Sequence, residues 1–100
     1  MRIPDKVLIG PYTYTVERGC DILLTADKEE CIGLADCDHL TIKLLGDIPT
    51  EIEESAFLHE VIHAINEICD AGMDERQVKV LAPMLYGFFR DNDLLKEGLE

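Results

Sequence analysis

Thr50-Glu51-Ile52-Glu53-Glu54-Ser55-Ala56-Phe57-Leu58-His59-Glu60-Val61-Ile62-His63-Ala64-Ile65-Asn66-Glu67-Ile68-Cys69-Asp70 is the stretch around which the rest of the chain is read. On a wheel of ~100° per residue, with His59 at zero, its apolar residues collect on one side. Ala64, Phe57, Ile68, Val61, Ile65, Leu58, Cys69 and Ile62 fill an arc from about 140° to 300°. His59, His63, Glu67 and Glu60 gather between about 0° and 100°. The pattern predicts an amphipathic helix over about 50–70, with both histidines off its apolar face. Thr50 opens it, and Glu51, Glu53 and Glu54 suit the positive end of a helix dipole. Thr50 with Glu53 fits a capping box, and Gly72 is placed to end the helix.

Downstream, Asp74 reads as a second N-cap, with Gln77 three residues on. Val78, Leu81, Ala82, Leu85 and Phe88 or Phe89 follow at helical spacing, which predicts a helix over about 74–91. Pro83 falls inside it and is expected to kink or split it, because proline lacks a backbone donor. Upstream, Val7-Leu8-Ile9 and Tyr12-Thr13-Tyr14-Thr15-Val16 flank Gly10-Pro11 and read as a hairpin. The apolar stretch 20–24 is of undetermined type, and Lys28-Glu29-Glu30 reads as a loop or turn. Cys31-Ile32-Gly33-Leu34-Ala35 and Leu40-Thr41-Ile42-Lys43-Leu44-Leu45 read as two further strands, joined by Asp36-Cys37-Asp38. The expected fold class is α+β. A small antiparallel sheet of about three or four strands over residues 6–45 is followed by two packed helices, in one domain spanning 1–100.

The chain has 100 residues, 47% of them hydrophobic, which suits one small packed domain. No apolar run reaches the ~18–20 residues of a membrane-spanning helix. Met1-Arg2-Ile3-Pro4-Asp5 leads into no long apolar stretch, so no signal peptide is expected and the location expected is cytoplasmic. The net charge is −12, from 21 acids against 9 bases, which disfavours a nucleic-acid partner. Cys20, Cys31, Cys37 and Cys69 form no CxxC pair and are expected to be free thiols, with Cys69 a small core residue.

His59-Glu60-Val61-Ile62-His63 matches HExxH. Residues four apart on a helix are offset by only ~40° and lie one turn apart, so both imidazoles can reach one zinc ion. Glu60 is ~100° from His59, too far round to be a natural third ligand but suited to take a proton from water. A third ligand is needed. Glu75 is in register with Val78 and Ala82 and so points toward the first helix. Asp74, Glu67 and Asp70 are the other candidates. Glu67 stands ~12 Å along the axis from His59, and three ligands on one straight helix surround an ion badly. His39, in a turn before a strand, is expected on the surface.

The segment Phe57-Leu58-His59-Glu60-Val61-Ile62-His63-Ala64-Ile65 resembles the active helix of small phage and prophage proteins similar to the ImmA/IrrE-like branch of the gluzincin metallopeptidases. The hairpin region 31–44 looks like the one before that helix, and 75–92 looks like the closing helix. The resemblance covers roughly residues 28–92, with HExxH its one sharply specific motif. It implies a minimal zincin-like fold, Zn2+ as cofactor, and Glu75 as third ligand beside His59 and His63. It also implies that strand 41–44 borders the cleft and pairs with an extended peptide. The chain departs from the pattern at Pro83 and in its shortness.

The function expected is therefore a zinc-dependent metallopeptidase that hydrolyses a peptide bond in a specific protein substrate, with Glu60 as general base. Tyr86 or His39 is a candidate oxyanion donor, although a core or rim role suits Tyr86 better. The expected partners are a protein or peptide substrate, with no nucleic acid and no membrane. The expected setting is the cytoplasm of a bacterial host if the chain is phage or prophage encoded. Two alternatives stand beside it: a non-catalytic, metal-stabilised interaction module, and an acidic protein that mimics DNA. Retention of Glu60 weighs against the first, and acids scattered through turns and helix starts weigh against the second.

Overall fold

The computed structural model describes residues 2–92 of the domain expected over 1–100. Six strands precede two helices: β1 (Lys6–Ile9), β2 (Tyr12–Cys20), β3 (Leu23–Leu24), β4 (Glu30–Cys31), β5 (Gly33–Asp36), β6 (Thr41–Leu45), α1 (Thr50–Cys69) and α2 (Glu75–Asp91). The expected α+β class is the one found.

β1 and β2 form the hairpin that the sequence marks, with Ile9 opposite Tyr12. Gly10 takes a φ of +57° there, a conformation that L side chains rarely adopt. Alternation along β2 sends Tyr14 and Val16 inward and leaves Thr13 and Thr15 exposed. β5 and β6 form a second antiparallel hairpin, with Gly33 opposite Leu44 and Asp36 opposite Thr41.

The main sheet has the order β1-β2-β6-β5, and β3 and β4 make a separate two-stranded ribbon. One pairing differs from the expected antiparallel pattern. β2 and β6 run parallel, with Thr15 opposite Thr41 and Val16 opposite Ile42, so the sheet is mixed. Each hairpin is signalled by its own turn, but the join between hairpins depends on how the intervening chain crosses over. The 31–35 stretch, expected as one strand, divides at Ile32 between the ribbon and the main sheet.

Helix α1 lies between the sheet and α2. Its sheet side packs Ala56, Phe57 and Ala64 against Ile9, Tyr14, Val16, Ile42 and Leu44. Its other side packs Ile62 against Val78 and Ala82, flanked by Met73 and Leu85. The arc between these two contacts is uncovered, so Ile65 and Cys69 are exposed. Cys69 is thus not the core residue expected. All four cysteines are free, as expected.

The helix ends differ in part from expectation. The N-cap of α1 is Pro49, with no side-chain cap hydrogen bond, so the Thr50–Glu53 capping box does not form. Glu53 instead accepts two hydrogen bonds from the Arg18 guanidinium, at 2.7 and 3.0 Å. α1 ends at Cys69 and is capped by Asp70, which adopts the left-handed conformation ahead of Gly72. α2 begins with the expected Asp74–Gln77 capping box. It runs unbroken through Pro83. The carbonyl that proline leaves without a helical donor belongs to Lys79, and both residues border an open groove where solvent can serve it. Among the described residues, no helix is long and apolar enough to cross a membrane.

Candidate metal centre

His59 and His63 sit one turn apart on α1, with ring centroids 4.8 Å apart. Both Nε2 atoms point to the same place and stand 3.1 Å from each other. Glu75, the first residue of α2, reaches across from the neighbouring helix. Its Oε1 lies 3.1 Å from His59 Nε2, and its Oε2 lies 2.8 Å from His63 Nε2. Among the described residues, these three are the only group of metal-donor side chains that converge in this way.

The donor set can be tested against zinc. Donors bound to one zinc at ~2.0–2.2 Å stand roughly 3.4 Å apart at tetrahedral angles. The two imidazole nitrogens stand a few tenths of an ångström closer than this, and Glu75 turns one oxygen to each of them, so rotation of the three side chains would bring both nitrogens and one oxygen onto an ion. Two imidazole nitrogens and one carboxylate oxygen form a known catalytic zinc set. Proton accounting points the same way. Each neutral imidazole carries one N–H, so if both Nε2 atoms donate to Glu75 their mutual approach is not a hydrogen bond. A cation at the focus satisfies all three groups together. Burial lowers the pKa of His59, and repulsion from His63 adds to this against the opposing pull of Glu75. The neutral form so favoured is the one that binds metal.

Glu60 is on the adjacent face of α1, with Oε2 4.0 Å from His59 Nε2. It is one of the few buried acids, 7% exposed. Burial pushes its carboxyl up to about 7, and the charge of Glu75 adds to the effect, while the Ala35 backbone amide opposes it. The wheel placed Glu60 on a polar face, which is correct, but that face looks into a groove between sheet and helix and not into bulk water.

The groove is about 1150 Å³ and open along one side. β5 borders it through Gly33, Leu34 and Ala35, opposite His59, His63 and Glu60 of α1. Among the described residues, β5 is also the outer strand of the sheet, paired with β6 on one edge only. This corrects the expectation for strand 41–44, because β6 is enclosed between β2 and β5 and has no free edge. Gly33 allows the close fit of sheet and helix: a Cβ built there would lie 3.0 Å from Glu60 Cγ and 3.2 Å from Oε2.

The remaining candidates separate cleanly. Asp74 caps α2 and does not join the donor group. Glu67 lines the groove without joining it. Asp70 is exposed at the end of α1. His39 is exposed and bonded to Asp36, at 2.9 Å, and does not line the groove. Tyr86 borders the groove but donates its hydroxyl proton to Glu54, a buried acid on α1. That bond argues against a free oxyanion donor.

The sequence marks Gly33 only as part of a strand, Glu54 only as a first-turn acid, and Asn66 not at all. Asn66 follows His63 by three residues, the spacing of neighbours on one helix face, and that spacing was the available signal. Comparisons with protein-family models, curated proteins and solved structures find no match to this chain.

Proposed function

We propose that the chain is a zinc-dependent metallopeptidase that hydrolyses a peptide bond in a protein or peptide substrate. The observation that carries this is the meeting of Glu75 with both histidines of HExxH, at 3.1 and 2.8 Å, from a separate helix. His59, His63 and Glu75 would hold the ion. Zinc bound there supplies Lewis acidity, which acidifies water and polarises a carbonyl. The Glu60 carboxylate, beside the ligands and shielded from solvent, takes a proton from the attacking water and returns it to the leaving amine. The outer edge of β5, unpaired with any other strand among the described residues, would offer backbone groups not already held by Glu60 to an extended peptide lying in the groove. The resemblance to ImmA/IrrE-like gluzincins and a location in the bacterial cytoplasm belong to the same proposal.

The test is hydrolysis of a mixed library of quenched fluorescent peptides. The zinc-loaded chain is expected to release fluorescence, and the Glu60→Gln variant with equal zinc content is expected to release none. Equal hydrolysis by both proteins would refute the role of Glu60. No hydrolysis by the zinc-loaded chain across peptides and folded proteins would favour the non-catalytic, metal-stabilised module.

A further inference from the structure

We propose that Asn66 is a positioning residue for Glu75, tying the start of α2 to the helix that carries both histidines. The inference rests on the metal-site reading above.

Glu75 is the one ligand that does not come from α1, so its placement depends on how the link from α1 to α2 is held. Asn66 Nδ2 donates to the Met73 carbonyl at 2.9 Å, and the Met73 N–H donates to Asn66 Oδ1 at 2.9 Å. The side-chain amide thus clasps both polar groups of a residue two positions before Glu75. From Met73 onward the backbone is fixed by the capping box. The Gln77 N–H donates to Asp74 Oδ1 at 2.8 Å, and the Asp74 N–H donates to Gln77 Oε1 at 2.9 Å. The capping box is internal to α2 and sets its shape, whereas Asn66 sets where that helix begins relative to the histidines.

The backbone carbonyl of Asn66 also accepts the N–H groups of Asp70 and Ala71, so one residue closes α1 and anchors the link. Packing of Val78 and Ala82 on Ile62 holds the body of α2, but apolar contact is non-directional and tolerates sliding. A double hydrogen bond to the N–H and C=O of one residue does not. Loss of a group bonded directly to a ligand typically weakens metal affinity about 10–100-fold; the clasp acts one step further back, through the backbone that carries Glu75, so the low end of that range is expected.

The experiment is competition for zinc between a chromophoric chelator and the full chain, as wild type, Asn66→Leu, Glu75→Ala and the double variant. Asn66→Leu is expected to raise the zinc Kd by about tenfold. In the Glu75→Ala background the same change is expected to alter the residual affinity by less than about twofold, because non-additivity marks residues that act through each other. A purely structural role would weaken binding equally in both backgrounds, and that result overturns the inference. So does an Asn66→Leu affinity within about twofold of wild type, while leaving the metal site intact. A wild-type chain that binds no zinc overturns the metal reading and this inference with it. If Asn66→Leu shows no cooperative unfolding, Asn66→Asp replaces it. That variant keeps the acceptor for the Met73 N–H and loses the donor, and it is expected to weaken binding at least about threefold in the wild-type background alone.

Discussion

Substituting Gly33 tests how tightly the sheet is fitted to Glu60, the proposed general base. Gly33 does not have a positive φ, so alanine is compatible with its backbone and the question is space alone. An added Cβ would stand 3.0 Å from Glu60 Cγ, 3.2 Å from Oε2 and 3.4 Å from Cδ. Carbon atoms at optimal separation are about 3.5–4.0 Å apart, so Glu60 must give way by a few tenths of an ångström. Glu60 is buried and cannot swing freely aside. Overpacking of this kind costs about 1–3 kcal/mol. The smaller conformational freedom of alanine in the unfolded chain offsets about 0.4–1 kcal/mol of that. The net expectation for Gly33→Ala is a loss centred near about 1.3 kcal/mol, or a fall in Tm on the order of 5–10 °C for a domain of this length.

The assay is thermal and urea unfolding of Gly33→Ala, Glu60→Ala and the double variant. All three atoms nearest the added Cβ belong to the Glu60 side chain, and Glu60→Ala removes them. Gly33→Ala is therefore expected to be neutral or slightly stabilising in that background, with a coupling of about 1–3 kcal/mol between the sites. A loss of the same size in both backgrounds would refute the reasoning, as would no loss in the wild type.

Two further outcomes follow from the structure. The Tyr86 hydroxyl is pushed up from 10.0 to about 12 by burial, with its hydrogen bond to Glu54 adding to the shift. The folded chain then holds a proton that the unfolded chain has released, so stability falls as pH rises from about 10 toward 12. Tyr86→Phe is expected to flatten that part of a stability-against-pH curve, and an unchanged slope would contradict the assignment. For zinc, free ion at about 100 times its Kd stabilises a folded chain by about 2.7 kcal/mol. Chelator addition is expected to lower the wild-type Tm by on the order of 10 °C and to leave that of Glu75→Ala nearly unmoved, as read by calorimetry.

Local patterns carried most of the fold. The 10–11 turn, the alternation from Tyr12 to Val16, the helical spacing around His59 and the Asp74–Gln77 capping box are each decided by neighbours in sequence. The parallel join of β2 to β6 was not legible, because no residue within either strand specifies its partner across a long connection. Thr50 failed as a cap because the helix starts one residue earlier, with Pro49 at the N-cap and its carbonyl taking the Glu53 N–H, while the Glu53 carboxylate is held by Arg18, 35 residues away; Cys69 failed as a core residue because neither the sheet nor α2 covers its side of α1. The same division runs through the site. His59, Glu60 and His63 form one contiguous motif, and Glu75 was reachable through its register on α2. The wedge at Gly33, the Tyr86–Glu54 bond and the clasp of Asn66 on Met73 depend on contacts between elements, and the sequence offers only their raw materials.

The central claim is that His59, His63 and Glu75 hold one zinc ion. Elemental analysis of the purified chain beside His63→Ala tests it most directly. The expected result is about one zinc per wild-type chain and a large loss in the variant, since a three-ligand site cannot keep its affinity with one ligand gone. No zinc in either protein, even after the ion is offered and with the fold intact, would contradict the claim and leave the acidic surface as the feature to pursue.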